Sequence, residues 1–375
     1  MRLVGKSLMD AEEFDISLMR PRLPNAEAIA SYLSEIDTNQ WYSNYGPLEQ
    51  RLRSRFADMF SLGSENVVLT ANGTLGLAMA LREAARGLQG LCVMPSFTFV
   101  ASAHAAVAAG LTPHFIDVDI DSWGLDADYV RQQLASIGDP VRAVLAVAPF
   151  GAPLNIAAWD KIELETGVPV VIDAAAGIDT VIPGQCPTIV SLHATKPLGI
   201  GEGGLILCKD VDRARELFFH TNFGFRGRRS AESIGFNGKL SEYGAAVGHA
   251  ALDGWERVRR RNMDCSLLYT KALQDLGGIE LAPGSDTAFA KSTFNILLPE
   301  GNVDNAIAFM NARGIEVRQW WSKGCHREPA FQKYSSGNLP VTEKFGRCVL
   351  GLPFFADLTA REIARIRSSL ESFLS

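Results

Sequence analysis

The 375-residue chain is short of several things that would have pointed elsewhere. It holds only six cysteines, Cys92, Cys186, Cys208, Cys265, Cys325 and Cys348, and no two of them form a CxxC pair. That spacing indicates neither a zinc site nor a redox dithiol, and it fits reduced thiols in the cytoplasm. Positive charge is not in excess: the formal net charge is -6, which argues against a surface built to neutralise nucleic-acid phosphates. The first residues, Met1 to Lys6, run soon into Asp10, Glu12 and Glu13 without the apolar segment of a signal peptide, so export is not expected. Residues 87–116 contain no Asp, Glu, Lys or Arg, a run long enough to suggest a membrane span. Pro95, Ser96, Thr98, Ser102 and His104 interrupt it, and residues 91–94 followed by an alanine-rich stretch read as a buried strand entering a buried helix.

What the chain does have is a repeating alternation. Short apolar runs at 66–70, 91–94, 114–118, 143–148, 168–172, 188–192 and 205–207 read as strands buried on both faces. Helix-like segments at 75–86, 101–109, 127–136 and 157–166 lie between them, so the pattern predicts an α/β unit with a mostly parallel sheet and right-handed crossovers. After about residue 240 the pattern changes. Residues 241–273 carry helical periodicity and read as one long helix, and residues 292–298, 303–313, 317–320 and 358–374 read as a smaller unit of strands and helices.

Four junctions in the first unit carry chemistry. Lys196 lies between an apolar strand and the glycine-dense turn Gly199-Ile200-Gly201-Glu202-Gly203-Gly204. Its small, uncharged neighbours would desolvate the ammonium and prepare it for Schiff-base chemistry, although an isolated lysine near glycines is usually solvated. Asp173 ends an apolar run, where parallel sheets present ligands. There it either steadies a protonated pyridine nitrogen or caps a helix. Asn72-Gly73-Thr74 opens an apolar helix, so it is either a phosphate cradle or an ordinary cap. Phe99, in Pro95-Ser96-Phe97-Thr98-Phe99, is either a ring to stack on a flat cofactor or part of the core. All four in this chain order, each at the end of a strand, favour a single site over four coincidences.

These residues, with Trp41 to Leu48, Asp117-Val118-Asp119, Asp173-Ala174-Ala175, Ser191 to Gly204, Gly235 to Glu242, His326 and Leu352-Pro353, resemble the DegT/DnrJ/EryC1/StrS sugar aminotransferases, which are fold-type I pyridoxal-phosphate enzymes. The resemblance covers nearly the whole chain. It implies an α/β fold: a large cofactor-binding domain, residues 1–245 with an N-terminal arm, whose mostly parallel central sheet is sandwiched by helices. A smaller C-terminal α+β domain, residues 246–375, would be reached by the long helix. It implies that Lys196 forms the Schiff base with pyridoxal 5'-phosphate, that Asp173 pairs with the pyridine nitrogen, and that Phe99 covers the ring. Gly73, Thr74 and Ser191 would hold the phosphate, and Asn237 would reach the cofactor of the neighbouring subunit in a homodimer. Ala176 departs from the Gln or His usual after the Asp-Ala-Ala triplet, which removes a side chain from near the cofactor's phenolic oxygen.

The reaction so implied moves an amino group from an amino acid, most often L-glutamate, to a nucleotide-linked keto-sugar through pyridoxamine phosphate, in amino-sugar biosynthesis for a lipopolysaccharide O-antigen or a glycosylated metabolite. The His193-Ala194-Thr195-Lys196 run resembles members that aminate C4 of a 4-keto-6-deoxy sugar, with a C3-specific enzyme as the alternative. Arg226 in Arg226-Gly227-Arg228-Arg229 is either a diphosphate contact or a solvated turn. His193, Lys239, Trp320 and His326 are candidates for the sugar site, against ordinary packing and buried hydrogen bonding. The rivals are an amino-acid decarboxylase or aldolase, and a non-catalytic regulatory relative. No metal, nucleic acid or membrane partner is expected.

Overall fold

The computed structural model describes residues 14–299 and 301–375; the acidic N-terminal stretch considered above lies outside them. The large unit is built on β1 (Val67–Thr70), β2 (Leu91–Pro95), β3 (Thr112–Ile116), β4 (Val141–Val147), β5 (Val170–Asp173), β6 (Thr188–Ser191) and β7 (Gly204–Leu207). Their spatial order is β1-β7-β6-β5-β4-β2-β3, and only β7 runs antiparallel to its neighbours. Alternate residues of each strand point to opposite faces. Val68, Met94, Leu145, Val171, Ile189 and Ile206 pack beneath α3 (Gly73–Ala84) and α4 (Val100–Ala108). On the other face, Val93, Val144 and Ile172 meet Val130, Trp159 and Ile162 of α5 (Ala127–Ser136) and α6 (Ile156–Thr166). Val67, Leu69, Val190 and Leu205 meet α1 (Ala26–Asn39) and α2 (Pro47–Met59) through Ile36, Leu52 and Phe56. Burial on both faces is why these strands read as unbroken apolar runs.

The chain leaves the sheet through α7 (Val211–His220) and reaches α8 (Glu242–Asp253) and α9 (Trp255–Leu273). In place of one long helix over 241–273, Gly254 divides the run in two. The division follows from two different partners. Gly248 of α8 lies so close to Leu52 that an added Cβ would sit 2.6 Å from Cδ2, whereas Cys265, Tyr269 and Leu273 of α9 belong to the core of the C-terminal unit. That unit holds the antiparallel sheet of β8 (Glu280–Leu281), β9 (Phe294–Leu297) and β10 (Val349–Leu352), in order β10-β9-β8, with α10 (Val303–Asn311), α11 (Pro340–Cys348) and α12 (Ala360–Leu374). Ile16 is buried in the same core and pairs with Ile315, so chain from the N-terminal side completes it.

Two further strand assignments shift for physical reasons. β3 stops at Ile116 because Asp117 turns to cap α11, accepting bonds from the backbone N–H of Val341 and Thr342, each at 2.8 Å, and from the Thr342 hydroxyl at 2.7 Å. This carboxylate ties the sheet edge to the C-terminal unit. Residues 317–320 form only one bridge, Arg318 to Gly351, rather than a strand. Among the described residues no helix is long and apolar enough to cross a membrane, and residues 87–116 form β2, α4 and β3.

Candidate active site

The C-terminal ends of β1, β2, β5 and β6 meet along one edge of the sheet, and antiparallel β7 starts at that same edge. Asp173 closes β5 and is buried. Its Oδ2 accepts a hydrogen bond from Ser102 Oγ at 2.7 Å, and its Oδ1 accepts one from the Ala175 backbone N–H at 3.1 Å. Burial pushes this carboxyl above the usual carboxylate range; Ser102, the Ala175 N–H and the charge of Lys196 oppose the push.

Lys196 rides on the loop between β6 and β7, where its backbone N–H donates to His193 O at 2.8 Å. Burial lowers its basicity, and the nearby Asp173 acts in the opposite direction. Its ammonium makes no hydrogen bond to another described residue. A lysine with depressed basicity and unused donors, beside a carboxylate at a sheet edge, suits attack on an aldehyde carbon.

The third part of the site is the start of α3. Asn72 caps it, its side chain accepting from Leu75 N–H at 2.8 Å. The N–H groups of Gly73 and Thr74 stay open at a positive helix end, which is a ready anion site. Gly73 lies against Ser191, where an added Cβ would stand 3.1 Å from the serine Cβ. Gly204 allows the helix to come this close: a Cβ there would fall 2.5 Å from Thr70 Oγ1 and 2.9 Å from Gly73 N. The donor set of open N–H groups and two hydroxyls fits a phosphate monoester, and Asp173 and Lys196 fit the two polar ends of a pyridine aldehyde.

Phe99 precedes α4 and is 55% exposed while Phe97 is buried, so Phe99 is the ring of this segment left free to stack. Ala176 is buried, and its carbonyl abuts Gly151, where a Cβ would lie 2.5 Å away. The preceding Phe150 has φ +52 and stacks on Trp321 with ring centres 3.9 Å apart. A left-handed non-glycine residue next to a site is a place where strain is held by packing.

The remaining sequence candidates fall into different surroundings. Asn237 and Lys239 lie beside the end of β1; Lys239 pairs with Thr70 across a bridge, and its Nζ donates to Asn237 Oδ1 at 2.7 Å and Asn222 Oδ1 at 3.2 Å. His193 is on the lysine loop, its Nδ1 accepting the Thr195 N–H at 3.2 Å and its Nε2 facing Glu202 at 3.7 Å. Arg226 forms a two-pronged ion pair with Glu216 and lies 5.0 Å over the Phe219 ring, so its guanidinium is already engaged. His326 stands behind β2, with Nδ1 2.7 Å from Ser96 Oγ. Trp320 packs its indole nitrogen edge against Gly351, and its indole N–H is buried without an acceptor among the described residues. The sequence reading gave Thr98, Ser102 and Glu242 no role of their own. Glu242 caps α2, accepting from the N–H of Leu48 at 2.9 Å and of Glu49 at 2.8 Å. Thr98 and Ser102 had a visible signal as polar residues four apart in a chargeless run.

Known proteins share this fold. The model of the DegT/DnrJ/EryC1/StrS aminotransferase family matches residues 25–371. A Bacillus cereus protein described as a PLP-dependent aminotransferase superposes with a TM-score of 0.88 at 32% identity, covering 95% of this chain and 99% of the other. DesI, crystallised in the presence of its TDP-sugar product, gives a TM-score of 0.84 at 30% identity, with 96% and 94% covered. The dTDP-4-amino-4,6-dideoxy-D-glucose transaminase of Shigella dysenteriae is 28% identical over 96% of this chain and 99% of its own length. The chain therefore belongs to the DegT/DnrJ/EryC1/StrS aminotransferase family, and its cofactor is pyridoxal phosphate.

Proposed function

We propose that the enzyme aminates C4 of a nucleotide-linked 4-keto-6-deoxyhexose in the cytoplasm, taking the amino group from L-glutamate. One observation carries the chemistry: Lys196, with lowered basicity and unused donors, lies close enough to the buried Asp173 that each feels the other's charge. The choice of substrate is supported by likeness to the Shigella transaminase and to DesI, and by the His193-Ala194-Thr195-Lys196 run.

When bound, pyridoxal phosphate supplies the electron sink for the bond that breaks at the substrate carbon. In this reading Asp173 keeps a proton on the ring nitrogen, and Phe99 covers one face of the ring. Gly73, Thr74 and Ser191 grip the phosphate. Lys196 Nζ would take the proton from the amino-acid carbon and, in the second half-reaction, give one to the sugar carbon. His193, on the same loop, lines the sugar end. We also read the exposed Trp41, Tyr42, Phe223, Ile234 and Tyr243 as the surface that pairs two subunits, with Asn237 completing the neighbour's phosphate site.

The test is incubation of the purified enzyme with L-glutamate and a panel of nucleotide 3-keto and 4-keto sugars, with products identified by mass spectrometry and NMR. An amine at C4 is the expected product. An amine at C3 would overturn the regiochemistry, and amino-acid turnover with no sugar acceptor would overturn the substrate class.

A further inference from the structure

A buried chain of hydroxyls stands behind Asp173. Thr98 and Ser102 are 1% and 0% exposed, and their oxygens lie 2.9 Å apart. Ser102 Oγ is 2.7 Å from Asp173 Oδ2. An ionised carboxylate has no proton to give, so the single Ser102 proton goes to Asp173. Ser102 must then accept from Thr98, and the donor order runs Thr98 to Ser102 to Asp173. With the Ala175 N–H on Oδ1, each carboxylate oxygen has one protein donor and keeps a further lone pair. The backbone of the Thr98 segment is fixed in turn, since Ser96 O accepts from Cys325 N–H at 2.8 Å.

We propose that Ser102, oriented by Thr98, is a positioning residue for the transamination, fixing the Asp173 carboxylate so that its open lone pairs meet the protonated ring nitrogen of the cofactor. The proposal rests on the reading that Asp173 pairs with that nitrogen. A serine in this place is not explained by packing alone, because alanine would fill the helix face that α4 presents to α3 and the sheet, as Ala103, Ala105 and Ala106 do. Hydrogen bonds to charged groups are the strong ones, and this one lies where water is excluded.

The experiment compares wild type, Ser102→Ala, Thr98→Val and Asp173→Asn, each loaded with pyridoxal phosphate or with its 1-deaza analogue, which has carbon in place of the ring nitrogen. Cofactor dissociation constants come from absorbance titration of the apoprotein, and kcat and KM from glutamate turnover. With the natural cofactor, Ser102→Ala is expected to weaken binding roughly tenfold and lower kcat by at least as much, with Thr98→Val showing a smaller loss in the same direction. With the deaza analogue both variants should match wild type. Equal losses with both cofactors would mean a structural role and overturn the proposal, as would wild-type behaviour of Ser102→Ala beside an impaired Asp173→Asn. An unimpaired Asp173→Asn would instead overturn the underlying reading of Asp173.

Discussion

Lys196 and Lys291 have the same perturbation and opposite surroundings. Burial lowers the basicity of both, Lys291 to about 8. Lys291 sits ahead of β9, where its ammonium donates to Ser266 Oγ at 2.8 Å, Thr287 O at 3.0 Å and Ser285 O at 3.2 Å, and lies 4.5 Å over the Phe289 ring. All three of its donors are used. Asn262 clamps the same residue by its backbone, with bonds of 2.6 and 2.7 Å. Lys196 has no such partners; it has the charge of Asp173 nearby and a loop that leaves its amine free. A depressed pKa therefore does not by itself mark a reactive lysine. The added requirement is an amine not already consumed by the fold.

The comparison can be broken most decisively at Lys196. Lys196→Ala is expected to lose at least about 10³-fold in transamination, read as kcat with glutamate, because it removes the group proposed as both covalent anchor and proton carrier. Lys291→Ala should leave kcat near wild type. Next in size is Asp173→Asn, expected to lower kcat on the order of 10²-fold by removing the charge proposed to meet the ring nitrogen. The same variant has a pH signature. Asp173 raises the basicity of Lys196, so without it the inflection in the rate of cofactor capture by apoprotein should move to lower pH, away from the ordinary lysine value of 10.5.

Lys291 makes its own prediction through stability. Its folded pKa of about 8 lies below the ordinary 10.5, so between these values the unfolded chain binds more protons and wild-type stability gains from this group as pH rises. Denaturant titrations of wild type and Lys291→Met should diverge in favour of wild type by about 3 kcal/mol from pH 8 to 10.5, a dependence that methionine lacks. The smallest effect concerns the cradle opposite Lys196. Asn72→Ala should cost about 1 kcal/mol in thermal or denaturant unfolding by removing the cap on Leu75 N–H.

Much of this was legible in the chain itself, for identifiable reasons. The parallel strands are buried on both faces, so each is an apolar run, and Asp173, Ser191 and Thr70 mark strand ends because polar groups tolerate only that edge. The direction of β7 was not legible. The segment from β6 to β7 has no helix to carry a parallel crossover, and only the pairing of Ser191 with Gly204 reveals the return. The break at Gly254 was not legible within residues 241–273, because nothing local says that α8 and α9 pack in different cores. The role of Ser102 depends on a contact across 71 positions, and that of Glu242 on one across 194. Arg226 reads from the sequence as either a diphosphate contact or a solvated turn, because nothing local shows that Glu216 of α7, 10 positions earlier, holds it.

Lys196, and not another sheltered lysine, is proposed to hold the cofactor. Loading the enzyme with pyridoxal phosphate, fixing it in place with borohydride, and mapping the modified peptide by mass spectrometry tests this directly. The expected result is the pyridoxyl mass on Lys196 alone, and no pyridoxyl mass on Lys196→Ala after reduction and dialysis. Modification of Lys291 or Lys239 instead, or a covalent adduct that survives Lys196→Ala, would contradict it.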